Sequence, residues 1–98
     1  MPDLNVVAVL TAKPGSQDAL RAALESLLEP TRAEEGCLHY ELFTSLADPL
    51  SFVTIERWRG QADLDAHMAS DHIARALGVA ADLFAASPAT HPLAPVAS

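Results

Sequence analysis

The chain has 98 residues, half of them hydrophobic, which limits it to one domain with a single core and excludes a disordered chain. Thirteen acidic residues against six basic ones leave a net charge of −7; such a surface repels phosphate backbones, so nucleic acid and anionic membranes are poor partners. One cysteine, Cys37, excludes an internal disulfide and a cysteine-rich zinc site. The start, Met1-Pro2-Asp3-Leu4-Asn5, has no basic leader, and no apolar run approaches the ~18 residues of a membrane span, which points to a cytoplasmic protein.

Residues 4–12 are short and valine-rich and end at Lys13-Pro14-Gly15, which predicts a strand and a turn. Ser16 is placed to cap the following helix, with Asp18 in its first turn. Leu20, Ala23, Leu24, Leu27, Leu28 and Thr31 recur on one helical face, with Pro30 expected to kink or loosen the last turn, and Glu34-Glu35-Gly36 ends the run. Residues 37–45 alternate as a second strand, Ala47-Asp48-Pro49 turns, and β-branched and aromatic residues make 51–59 the third. After Gly60, residues 61–69 predict a short helix with Leu64, His67 and Met68 on one stripe. Ser70-Asp71 breaks and recaps the chain, and a last helix runs from Ile73 to about Ala86. The tail 87–98 holds Pro88, Pro92 and Pro95, which suits an edge strand or an extended arm.

The order β-α-β-β-α-(α)-β predicts an α+β, ferredoxin-like sandwich over residues 1–98, an antiparallel sheet with helices on one face. Its sheet is apolar on both faces. Leu4, Val6, Ala8 and Leu10 point one way and Val7 and Val9 the other; Phe52 and Trp58 share a face opposite Val53 and Ile55. Two helices cover one face only, and a second copy is the simplest cover for the other, so a face-to-face homodimer is expected.

No phosphate loop, CxxC, HExxH or nucleophile elbow occurs. Four histidines are present: His39, His67, His72 and His91. His67 and His72 are five apart, one residue too many for a metal pair on a single helix, so no metal is assigned. Glu56 shares a strand face with Phe52, Thr54 and Trp58, and a carboxylate on an apolar stripe needs a partner. His67 is the expected one, as an acid/base pair in a cavity or as a structural tie between helix and sheet. Trp58 and Tyr40 are open between cavity wall and core, and Cys37 suits a small buried residue.

The run Phe52-Val53-Thr54-Ile55-Glu56-Arg57-Trp58, followed by Asp63-Leu64-Asp65-Ala66-His67 and then His72, resembles the antibiotic biosynthesis monooxygenase family. That family's pattern there is E-x-W, L-x-x-H and a second histidine about a turn later. Lys13-Pro14-Gly15 and Glu34-Glu35-Gly36-Cys37-x-x-Tyr40-Glu41 match as well, so the likeness spans residues 5 to 86. Its quinol monooxygenase-like members are the most similar in pattern. The resemblance implies a dimeric α/β-barrel of two such protomers and oxidation of aromatic quinol or anthrone-type rings with O2, without metal, haem or flavin. It also implies a pocket between sheet and helices. Thr54 stands where anthrone-oxidising members carry a pocket asparagine, and Leu77 and His67 stand where the haem-degrading branch needs a haem-ligand histidine and a tryptophan, which argues against haem chemistry.

The expected cavity is lined by Phe52, Thr54 and Trp58 from the sheet and by Leu64, His67, Met68 and Leu77 from the helices, with Tyr40 joining if the hairpin register allows. A histidine titrating near neutrality is the natural acceptor of a phenolic proton. His67 is therefore the expected base, oriented by Glu56, with His72 as the alternative. Two other readings stay open: an isomerase or other proton-transfer enzyme in the same pocket, and a dimer that binds a small molecule without turnover.

Overall fold

The computed structural model describes residues 3–97; Met1, Pro2 and Ser98, counted in the expected 1–98 range, lie outside the described residues. The elements are β1 (Leu4–Thr11), α1 (Gln17–Glu25), α2 (Leu28–Arg32), β2 (Cys37–Thr44), β3 (Ser51–Trp58), α3 (Gln61–Met68), α4 (Asp71–Ala80) and β4 (Ala89–Leu93). All strand pairs are antiparallel, in the order β2-β3-β1-β4, and the helices lie over one face. This is the ferredoxin-like sandwich. The sheet of one chain is open, with β2 and β4 at its edges, so it does not itself close into a barrel.

Alternation sets the two faces. Val6, Ala8 and Leu10 of β1, Phe52, Thr54, Glu56 and Trp58 of β3, and Tyr40 of β2 are all buried on the helix side. Val7 pairs with Ile55, Val9 with Val53, and Phe43 with Val53 on the opposite side. Ile55 and Phe43 there are each 44% exposed, since among the described residues the helices lie over the other face.

The helices depart from the simple periodic reading at three points. The first predicted helix is two, separated at Ser26-Leu27. Pro30 is the cause: it has no N–H for the Ser26 carbonyl and its ring crowds that carbonyl. Ser16 occupies the N-cap of α1, but its side chain makes no capping bond. The last helix stops at Ala80 instead of Ala86, because Leu83 and Ala85 are drawn into backbone bonds with Lys13 and Thr11 at the end of β1. Ser70 does recap the chain, accepting from the Ile73 N–H at 3.3 Å. The proline-rich tail forms β4 along β1, with Pro92 on an outer strand where a missing donor costs least.

Gly36 fixes the approach of the loop before β2 to α3. Its carbonyl accepts from the Arg59 N–H at 2.8 Å, and a Cβ there would overlap the Asp63 side chain, which Arg59 holds through two bonds of 2.7 and 3.0 Å. Gly36→Ala is expected to destabilise by about 1–3 kcal/mol, as overpacking does. Gly78→Ala, within α4 with nothing close to the new Cβ, is expected to gain roughly 0.4–1 kcal/mol. Opposite shifts of the thermal midpoint check the pair.

Candidate functional site

Across the sheet, Thr54 of β3 pairs with Ala8 of β1, which pairs in turn with Thr90 of β4. Three small side chains in one row leave space beneath the helices. The result is a cavity of about 270 Å³. Leu10, Leu24, Leu27, Ile73 and Leu77 supply most of its apolar wall, while Met68, half exposed, and Pro88 also border it. Its polar groups are few: Tyr40, Thr54, Glu56, His67 and Thr90.

His67 is 2% exposed. Its Nδ1 lies 2.7 Å from Glu34 Oε2, and the same oxygen lies 2.8 Å from His72 Nε2. An ionised carboxylate only accepts, so both rings donate to it. His67 therefore carries its proton on Nδ1, and its Nε2 keeps a lone pair, with no hydrogen-bond partner among the described residues. His67 also lines the cavity. Its plane is held by Trp58, with ring centroids 4.6 Å apart and planes 37° apart, and by the edge of Tyr40 at 5.6 Å.

The expected Glu56–His67 tie is not formed. Glu56 is saturated within its own strand: Thr54 Oγ1 donates to Oε2 at 2.6 Å and Trp58 Nε1 to Oε1 at 2.9 Å. Residues 54, 56 and 58 share one strand face, so the three side chains meet without any tertiary help. Glu34 takes the place beside His67; the sequence marks it as a helix end and as part of the family-like run 34–41, with no role in the site. The signal for it lies in the hairpin. Cys37 pairs with Trp58, so the residues just before Cys37 reach the end of β3, where α3 begins. His67 and His72 meet because they lie on separate helices, α3 and α4, and the single-helix spacing rule does not govern them.

Of the expected wall residues, Thr54, His67, Met68, Leu77 and Tyr40 line the cavity. Phe52, Trp58 and Leu64 are buried outside its lining; Trp58 supports His67 and Glu56 from behind. His72 lines a separate groove of about 710 Å³ between α1 and α4, with Ala22, Ala76 and Arg75. Tyr40 faces inward because the hairpin pairs it with Glu56. Burial, then Glu34, raises the Cys37 thiol above its usual range, which favours the unreactive form. Glu34, His67 and His72 are also the described residues able to hold a metal ion, their ligand atoms all within 4.8 Å of one another. Among the described residues no helix is long and apolar enough to cross a membrane.

The family model described as antibiotic biosynthesis monooxygenase matches residues 4–78. Over 67 residues the chain is 43% identical to "Putative monooxygenase Rv0793" of Mycobacterium tuberculosis, a match covering 68% of this chain and 65% of that protein. The chain thus spans just under two thirds of that curated relative's length. It is 31% identical over 65 residues to "Putative monooxygenase YcnE" of Bacillus subtilis, covering 66% and 68% of the two chains. Among solved structures, PA3566 from Pseudomonas aeruginosa superposes with a TM-score of 0.91 at 34% identity, over 99% of this chain and 97% of that one.

Tyr40 is the only tyrosine of the chain. Burial, chiefly, and then the neighbouring Glu56 charge raise its pKa strongly, so the phenol stays a neutral donor at the cavity wall. A tyrosine whose folded pKa is raised contributes stability that is full below the unfolded value of about 10 and is lost as pH climbs past it. Alkaline titration by ultraviolet absorbance is expected to show no phenolate at the ordinary midpoint while the fold persists. Tyr40→Phe is expected to flatten the fall of stability above about pH 10, checked by denaturant melts across that range.

Proposed function

The chain belongs to the antibiotic biosynthesis monooxygenase family, and we propose that it oxidises an electron-rich phenol, quinol or anthrone-type ring with O2, the substrate supplying all the electrons. The observation that carries this reading is the Glu34–His67 dyad, with His67 on the wall of a largely apolar cavity. His67 Nε2 takes the phenolic proton. Glu34, acting as a positioning residue, holds the tautomer and stabilises the imidazolium that forms. Tyr40, kept neutral and lining the same cavity, donates to the phenolate oxygen.

The phenolate passes one electron to O2, and the radical pair combines to form a C–O bond at a ring carbon bearing hydrogen. Loss of that C–H and cleavage of the O–O bond, with the His67 proton returned to the departing oxygen, leave a quinone and water. One phenol and one O2 thus give one quinone and one H2O. The apolar wall suits an aromatic ring and O2, and it excludes water from the reacting atoms.

A second reading is favoured by the same pairing of a neutral acid, Tyr40, with a free base, His67: enolisation by proton transfer, without oxygen. Oxygen uptake over a panel of hydroquinones, naphthols and anthrones separates the two, and binding without turnover would mark a non-catalytic binding protein. With an oxidised substrate in hand, His67→Ala is expected to lower turnover by about 10² or more while binding persists. Glu34→Gln is expected to lower it by roughly tenfold or more with its KM little changed, as loss of an orienting partner does. A folded His67→Ala protein with full activity would overturn the assignment.

The same reading includes a homodimer. The outer sheet face carries Val7, Val9, Val53, Ile55 and Phe43 without cover, and a second copy presenting that face would bury them. Ile55→Glu combined with Val9→Glu is expected to give a folded monomer where the parent sediments as a dimer at micromolar concentration.

A further inference from the structure

The cluster of Glu34, His67 and His72 holds more ligating power than a base and its positioning residue require. Two imidazole nitrogens and one carboxylate oxygen converge within 4.8 Å, from three elements: the loop before β2, α3 and α4. Their atoms already point at one spot, because both rings aim at a single oxygen. Ligands at ~2.1 Å around a tetrahedral ion are roughly 3.4 Å apart, so the 2.7 and 2.8 Å contacts open by well under 1 Å, and the two nitrogens, within 4.8 Å of each other, move inward to the same spacing. His72 is 20% exposed at the side-chain level and begins α4, so it can make that adjustment. It also lines the open groove between α1 and α4, which gives an ion a way in and leaves room for water as the fourth ligand. The chain's net charge of −7 draws cations toward it.

We infer that Glu34, His67 and His72 form a binding site for one divalent ion of the zinc or cobalt type. Two nitrogens and a carboxylate oxygen suit such borderline ions better than calcium or magnesium, which prefer oxygen ligands. The ion takes the lone pairs of His67 Nδ1 and His72 Nε2. Each neutral ring then carries its hydrogen on the other nitrogen, with no net proton released. For His67 that other nitrogen is Nε2, the atom proposed to take the phenolic proton. An acceptor becomes a donor, so an occupied site has no base. This consequence rests on the proposed role of His67; the binding itself does not.

The binding is tested without any substrate. Co2+ added to the metal-free full chain is read by its visible absorption, and Zn2+ by calorimetry. The expected result is one ion per chain, with affinity at least about tenfold weaker in His72→Ala and unchanged in His39→Ala and His91→Ala. Should His72→Ala unfold, imidazole resonances of the unaltered protein give the same answer: Zn2+ is expected to shift those of His67 and His72 and leave those of His39 and His91. No saturable binding, equal binding by His72→Ala, or shifts confined to His39 and His91 would overturn the site. On an oxidised substrate, Zn2+ is expected to suppress oxygen uptake in step with occupancy, and full turnover by the loaded protein would overturn the switch. If no substrate is ever oxidised, the functional reading fails while the binding result stands.

Discussion

One carboxylate oxygen holds the site together. Glu34 Oε2 accepts from both His67 and His72, so it joins the loop before β2 to α3 and to α4 at a single point. Hydrogen bonds to a charged group contribute about 1.5–3 kcal/mol each, more than neutral ones. Removing the carboxylate would leave a ring that is 2% exposed with an unpaired Nδ1–H, so its cost exceeds the bonds themselves. The break at Ser70 matters for the same reason. A continuous helix through residues 61–80 would carry His67 and His72 around different faces, and only a chain that stops and restarts brings both rings to one oxygen.

A second carboxylate, Glu56, solves a different problem. It is buried on the apolar face of the sheet, and its two oxygens are met by Thr54 and Trp58 from the same strand. Because all three side chains lie on one face at a spacing of two, the strand supplies its own compensation for burying a charge. Trp58 then serves on both sides, donating to Glu56 and stacking on His67. The two carboxylates are thus linked through one indole, one bonded to His67 and the other anchoring the ring that holds its plane.

Much of the fold was legible because strand alternation and helix periodicity are local. The opposed faces of Val6/Ala8/Leu10 and Val7/Val9, the recap at Ser70 and the edge position of the tail follow from neighbouring residues alone. The Glu56–His67 pair was not formed, since proximity in chain order suggested a partner that tertiary packing had already replaced. Glu34 sits 33 residues from His67, and no periodicity links them; only the hairpin register does. That register also decided Tyr40. The end of α4 at Ala80 was hidden because the apolar stripe continues through Leu83 and Phe84, whose task is to dock on the end of β1 rather than to extend a helix.

The place of the cavity follows from side-chain size. The row Thr54–Ala8–Thr90 is small across three strands, while the rows on either side hold larger groups: Phe52 beside Leu10 in one direction, Glu56 beside Val6 in the other. Helices α1 and α4 cross above with Leu24, Ile73 and Leu77, long enough to close the walls but not to reach the floor. A close-packed interior would normally fill such a gap, since empty space forfeits dispersion contacts with no compensation. Ala8 could be enlarged without disturbing any hydrogen bond of the sheet, so stability alone does not account for an alanine there. A small residue at the floor, a buried histidine bonded to a carboxylate at the wall and a neutral phenol beside it are each a local departure from the best packing. They fall on the same 270 Å³, and departures from local consistency gather where a chain binds or acts rather than where it packs.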